Sequence, residues 1–506
     1  MSVKVYPVTK NELHTEDYEV KINGVSVQLD TARVSAVPYN RRWPGHQRSI
    51  DQSELINFLS FALDSSVEME IIPQKPFKDV KIRPENSGIE YMITPNGSIH
   101  LTLEKPQYFT VEPNGRHHAL HIFADPMPEY KIDPNGDDVI YFGAGEHDAG
   151  MISLVSGQTL FIDEGAVVYA CVKAFEAENI KIVGRGILDN SRNREKILYE
   201  AHEQGNTEAV DNAVRLHTVQ LEYCRNIEIE GITIRDSLVY NIRPIACENL
   251  TIHHVKIIGC WRYNSDGIDM HNCADVLIEN CFLRTFDDSI CVKGFDCYYD
   301  GDVEQAVYDA MHNGGRVYDT FKNVRVRGCV IWNDWGKCLE IGAETRAEEI
   351  CDVIFEDCDI IHVTSSILDC MNVDYADVHD IIYRKIRIEL DEIIPQAHIQ
   401  TEDDVKYESL GGQSADYAPP LIDVKVEFHH EYSAGGTRRG RNYDILFEDI
   451  HICGEHKPFL AFRGYSSEFN CRDITVRGIY LNGSLLGGEQ DMNVVKNEYC
   501  ENIVIE

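Results

Sequence analysis

A short run of alternating apolar residues, opened by Asn or Asp, recurs along most of the chain. Copies begin at Asn179, Asn226, Asn249, Asp275, Asn323, Asp352, Asp380, Asp444, Asp473 and Asn502, for example Asn226-Ile-Glu-Ile-Glu-Gly-Ile-Thr-Ile and Asp352-Val-Ile-Phe-Glu-Asp-Cys-Asp-Ile. Neighbouring copies start roughly 23–29 residues apart, or about twice that where a copy is weak or a loop intervenes, and a fixed period of this size signals stacked repeats. Alternation at period two makes each copy strand rather than helix. No amphipathic helix separates the copies, which removes leucine-rich and βαβ repeats, and a propeller needs about four strands per repeat. One copy cannot bury its inward face alone; stacking coils pairs each strand with the one above, about 4.8 Å away. The expected fold is all-β: a right-handed parallel β-helix over residues 139–506.

Residues 1–130 differ. Proline turns at Pro38, Pro44, Pro73, Pro76 and Pro84 separate short alternating runs, the pattern of an antiparallel β-sandwich. Ser53–Leu63 fits either strand or helix, and Asp125–Asp138 reads as a linker. All sixteen cysteines lie at Cys171 or later, without CxxC pairs. Several sit in apolar strands (Cys281, Cys291, Cys329, Cys358), as reduced core residues do. The start lacks the apolar core of a secretion signal, so a cytoplasmic setting is expected. No apolar run is long enough to span a membrane. A net charge of −37 argues against nucleic-acid and anionic-membrane partners.

Two stretches stand out from the repeat: Asn264-Ser-Asp266-Gly-Ile-Asp269 and, one coil later, Asp287-Asp288. Residues one coil apart stack, so Asp266 is expected one rung from Asp287 and Asp288. Crowded carboxylates repel and raise the pKa of at least one of them. A glycosidase needs such a pair of states: one carboxylic acid protonates the leaving oxygen while a carboxylate activates water. The plainer alternative, turn or strand-start aspartates, is preferred for Asp269 and Asp275.

These two stretches resemble the Asn-Thr-Asp and Asp-Asp signatures of glycoside hydrolase family 28, the polygalacturonase-like enzymes. The resemblance runs over about 139–506 and is best from about 160 to 390; the added N-terminal sandwich is similar to that of the dextranase-type family 49. It implies Asp287 as general acid, Asp266 and Asp288 as the carboxylates that hold water, inversion at the anomeric carbon, and no metal or other cofactor. The family's Gly-His-Gly motif falls on Gly336-Lys337-Cys338, with Lys337 in place of histidine. Its Arg-Ile-Lys motif, expected near Ser366-Ile-Leu-Asp369, is absent. The departures put a polyuronate substrate in doubt and leave a neutral sugar open.

Substrate contacts are expected from Tyr240, Asn241, Asn264, Lys293, Lys337, Trp335 and Arg215, with Trp332 a weaker candidate. Glu340, Glu344 and Asp369 are candidates to accept hydrogen bonds from sugar hydroxyls, against a plain reading as solvated loop charges. The His253-His254 and His429-His430 pairs lack further ligands at metal spacing and read as structural. Insertions at Phe295–Thr320 and Ile394–Arg441 are expected to wall the cleft and favour action at chain ends. The expected partner is an oligosaccharide, with homo-oligomerisation left open. Two rivals stand beside hydrolysis: a Ca²⁺-dependent lyase with Lys337 as base, and a non-catalytic carbohydrate-binding β-helix.

Overall fold

The computed structural model describes residues 3–10, 13–36, 50–129, 131–193, 216–294, 320–390, 398–399, 408–409, 419–430, 432–433 and 438–506. Arg215 and most of both insertions lie outside these residues. The N-terminal part is a sandwich of two sheets. One is built on Ser53–Leu63, Leu120–Pro126, Gln107–Pro113 and Val80–Arg83; the other on Tyr18–Ile22, Val67–Pro73 and Ile99–Leu103. Their facing sides bury Val20, Phe61, Met69, Ile99, Phe109 and Ile122. Ser53–Leu63 is thus a strand. It pairs in parallel with Leu120–Pro126, an exception to the antiparallel pattern. That pairing also takes Asp125 out of the expected linker and into a buried strand.

From Val139 onward the strands form a parallel β-helix whose members pair one coil up, in three columns. Arg225–Glu230, Glu248–His253 and Ala274–Glu279 belong to the first column. Lys256–Ile258, Phe282–Thr285 and Val330–Asn333 belong to the second. Ile268–His271, Ile290–Lys293, Leu339–Ala343, Leu368–Asn372 and Ile422–Val426 belong to the third. The Asn or Asp that opens each repeat has a local cause: all ten sit at φ between 50° and 59°. Among L-residues Asn and Asp tolerate this left-handed region best. Several also hydrogen-bond coil to coil, as in Asn249 Nδ2 to Asn226 Oδ1 at 2.8 Å. Inside, aromatic rings stack at the coil spacing: Phe355, Tyr383 and Phe447 have centroids 4.9 Å apart. The described cysteines are free thiols, and all but Cys453 and Cys500 are buried.

The sandwich lies against the second column. Phe58, Tyr108 and Phe123 pack on Ile258, Phe282, Val330 and Trp332. Trp332 is fully buried in this seam, between His121 and His362, and so is not a sugar contact. Buried polar contacts cross the same seam: Lys256 is ion-paired with Asp125 and Arg83 with Glu389, and His362 Nε2 lies within hydrogen-bond distance of Glu112.

Candidate active site

Asp287 and Asp288 occupy the turn from Phe282–Thr285 to Ile290–Lys293, and Asp266 occupies the matching turn one coil earlier. Coil stacking holds the two turns together. The Gly267 N–H donates to the Asp288 carbonyl at 2.8 Å, and the Asn264 N–H donates to Asp287 Oδ2 at 3.1 Å. One oxygen from each of the three carboxyls lies within 4.8 Å of the others. The next coil must approach equally closely: a Cβ on Gly336 would lie 2.4 Å from the Asp287 carbonyl carbon, so only glycine fits there.

The carboxyls do not share one proton affinity. Burial, then the neighbouring Asp288 charge, pushes Asp287 well above the usual carboxylate range. Burial and the charges of Asp269 and Asp287 do the same to Asp266. Burial also acts against the charge on Asp288, but the ammonium groups of Lys337 and Lys293 and the Lys337 N–H, 2.9 Å from Oδ1, hold it below its ordinary value. The cluster titrates as a unit. Within it, burial and like charge favour a proton on Asp287, while the two ammonium groups favour the charge on Asp288.

Around the trio, Lys293 is buried with its Nζ 3.0 Å from Asp269, 3.7 Å from Asp266, and 3.8 Å from Asp288 and Glu344. Asp269, at the start of the strand Ile268–His271, is fully buried as an ion-pair partner of Lys293. Lys337 is ion-paired to Glu340 and lies 3.5 Å from Asp369. Glu340 and Asp369 are fully buried on neighbouring rungs. They face Lys337 instead of solvent, which corrects the expectation that they meet sugar hydroxyls. Asn241 is corrected likewise: it is fully buried and donates to the Asp266 carbonyl at 2.7 Å, positioning the turn. Glu344 is also buried. Asn264 is exposed beside Asp287; half-buried Tyr240 lies 5.3 Å from Lys293 Nζ; half-buried Trp335 packs edge-on to Tyr263.

Two residues escaped the sequence reading. Tyr432, from the second insertion, lies close enough for the charges of Asp287 and Asp288 to act on it; burial, then Asp287, pushes its phenol up to about 12. An insertion carries no repeat register, so nothing in the sequence aligned Tyr432 with the trio. Asn333 is fully buried at the end of its strand. Its Nδ2 contacts the Asp287 carbonyl at 2.7 Å, Ser289 Oγ at 2.9 Å and the Lys337 carbonyl at 3.1 Å. Asn333→Ala removes the group that fixes this turn. A loss of about 10²-fold in kcat is expected, since misplacement by about 1 Å costs that much. Steady-state kinetics beside a thermal melt checks it; an unchanged kcat in the folded variant would mean that the backbone alone sets the turn.

Residues 154–390 match the family model of glycosyl hydrolases family 28. A probable polygalacturonase of Vitis vinifera is 26% identical over 202 residues, 35% of this chain and 41% of that protein. A polygalacturonase of Gossypium barbadense is 25% identical over 210 residues, 39% of this chain and 49% of that protein. The chain thus spans less than half the length of these plant relatives. Among solved structures, Dex49A from Penicillium minioluteum aligns over 98% of this chain and 96% of its own, with a TM-score of 0.63 at 13% identity. That alignment takes in the sandwich as well as the β-helix.

Proposed function

We propose that this chain, similar to glycosyl hydrolases family 28 in its central coils and joined to an N-terminal sandwich as in Dex49A, hydrolyses a glycosidic bond with inversion. Asp287 delivers its proton to the leaving oxygen. Asp288 accepts the proton of a water as it attacks the anomeric carbon, and Asp266, whose carboxyl is also held up, helps to hold that water. The observation that carries this reading is the opposed proton affinity of adjacent carboxyls, Asp287 held up and Asp288 held down. General acid–base catalysis requires that combination.

The carboxyls stand closer than the usual inverting gap of about 6.5–9.5 Å, nearer the roughly 5–5.5 Å of retaining enzymes. Inversion is favoured here because three carboxyls, rather than two, surround the reacting point, leaving a pair to hold water. The stereochemistry of the product is therefore a sharp test. The lyase reading is weaker. A base must be deprotonated, yet Asp369, Glu340 and Asp288 outweigh the burial penalty on Lys337 and raise its pKa well above that of a free lysine. A cation among the three aspartates would also meet Lys293.

The sugar at the catalytic rung is neutral in this reading. Lys293 and Lys337 are the described cations nearest the trio, and both are occupied by buried carboxylates. A uronate carboxylate would add another negative charge to this acidic cluster. Attack at a chain end is proposed from the insertion that brings Tyr432 near enough to feel the charges of Asp287 and Asp288. The experiment is a panel of neutral oligosaccharides and oligogalacturonates, followed by proton NMR from the first turnover. The expected result is a neutral substrate, an inverted first anomer, and release of one or two sugar units from an end. A retained anomer would replace the water by a covalent intermediate. Ultraviolet-absorbing unsaturated products would replace hydrolysis by elimination, and mixed internal fragments would overturn end attack.

A further inference from the structure

A second set of metal-type donors lies on the outer face of the first column, on strands Glu349–Glu356 and Asp377–Glu389. Glu349 and Cys351 are two residues apart on one strand, and His379 sits on the next rung in register with Cys351. A carboxylate oxygen, the thiol sulfur and an imidazole nitrogen all lie within 4.8 Å of one another. Cys351 is absent from the core cluster that holds its strand neighbours Ile350, Val353 and Phe355, so its thiol belongs to the outer side. Even so it is only 7% exposed, and it has no hydrogen-bond partner among the described residues.

The imidazole is oriented as a metal-bound histidine is. Its Nδ1 lies 2.7 Å from Asp380 Oδ2, the carboxylate contact that fixes the tautomer of ligating histidines. Its Nε2 is left facing Glu349 Oε1 at 3.9 Å, too far for a hydrogen bond. The ring is backed by Tyr443, stacked at 4.9 Å. We propose that Glu349, Cys351 and His379 bind a zinc ion, with water as fourth ligand, which links two successive coils outside the core.

A thiolate, an imidazole and a carboxylate suit Zn²⁺ better than the oxygen-seeking Ca²⁺ or Mg²⁺. Bond lengths of about 2.0–2.3 Å put tetrahedral ligand atoms roughly 3.3–3.6 Å apart, so donors within 4.8 Å of one another need to close by at most about 1.5 Å. Binding breaks the S–H bond, forms Zn–S, and passes the proton to solvent. Without a cation, burial and the charges of Asp352 and Glu349 push the thiol up to about 11, so the proton is held until a metal displaces it. Lys322, in register on the other side of Cys351, is a counter-charge, outnumbered by Glu349, Asp352 and Asp380.

The test uses the full chain, stripped with a chelator and dialysed. Titration with Co²⁺ is expected to give a thiolate-to-cobalt band in the near ultraviolet that saturates at one equivalent and is displaced by Zn²⁺. Cys351→Ser is expected to lose the band. His379→Ala is expected to weaken binding at least tenfold and to lose the rise in melting temperature that Zn²⁺ gives the parent. No band in the parent would overturn the proposal. So would a band that survives Cys351→Ser, because the thiolate would then lie elsewhere, with Cys291 beside Asp288 and Glu340 the nearest alternative. A parent whose melting temperature Zn²⁺ leaves unchanged would overturn the link between coils. If Cys351→Ser fails to fold, the His379→Ala titration decides alone.

Discussion

Asp287→Asn is expected to lower turnover by about 10²–10⁴-fold or more while raising the melting temperature at neutral pH. The amide keeps the shape of the acid but has no proton to deliver. The stability gain follows from the same burial that makes the acid. Folding raises the pKa of Asp287, so its contribution to stability is full below the unfolded value, about 3.9, and is lost as pH rises through the folded value. The variant cannot ionise and escapes that loss, so the difference in melting temperature should widen from acid toward neutral pH. In the parent, turnover should fall on the alkaline side as Asp287 loses its proton, and on the acid side as Asp288, held low, gains one. Near-normal turnover in a folded variant would move the acid to Asp288 or Glu340. A melting difference that stays flat with pH would mean that Asp287 is not the group carrying the strain.

Asp125→Ala is expected to be the most destabilising single change at the seam between sandwich and β-helix, by about 3–5 kcal/mol. Asp125 is fully buried. It meets Lys256 Nζ at 3.1 and 3.2 Å, lies 3.5 Å from Arg185 Nε, and accepts the Tyr108 hydroxyl. Removing it leaves the Lys256 charge buried without its carboxylate hydrogen-bond partner, held by the Gly231 carbonyl 2.5 Å away and the more distant charge of Glu230. Arg185 retains Glu230 at 2.6 Å. Burial already lowers the pKa of Lys256 even with Asp125 present. The pairing of Asp125→Leu with Lys256→Met should recover much of the loss, because buried ion pairs are often replaceable by apolar groups of similar volume. Denaturant unfolding of both variants checks this. A single variant within about 0.5 kcal/mol of the parent would mean that water reaches the seam and solvates Lys256.

The described seam also connects the sandwich to the candidate site. Arg116, from the sandwich, is ion-paired to Asp334, which directly follows Asn333 and also accepts the Trp332 indole N–H at 2.9 Å. The N-terminal sheets therefore clamp the turn whose Asn333 holds the Asp287 carbonyl.

The sequence by itself determined the coil. Alternating residues at a fixed period must bury one face against copies of themselves, and Asn or Asp at each opening supplies the left-handed residue where the chain enters the strand. The repeat also fixed which turns stack, and so which aspartates meet. The tertiary structure alone decided what each outward side chain faces. Glu340, Asp369 and Asn241 point away from the core, as loop-facing polar residues would, yet coil stacking closes over them and they serve Lys337 and the Asp266 turn. Trp332 is outward on its coil, and the sandwich covers it. Asp125 looks like linker until its strand pairs with Ser53–Leu63 and drives it against Lys256. A repeat encodes inside and outside along one strand. It does not encode which outside surface a second sheet or an insertion will cover, and proton affinities depend on that covering: burial and charges from other coils separate Asp287 from Asp288 although the two are neighbours in the chain.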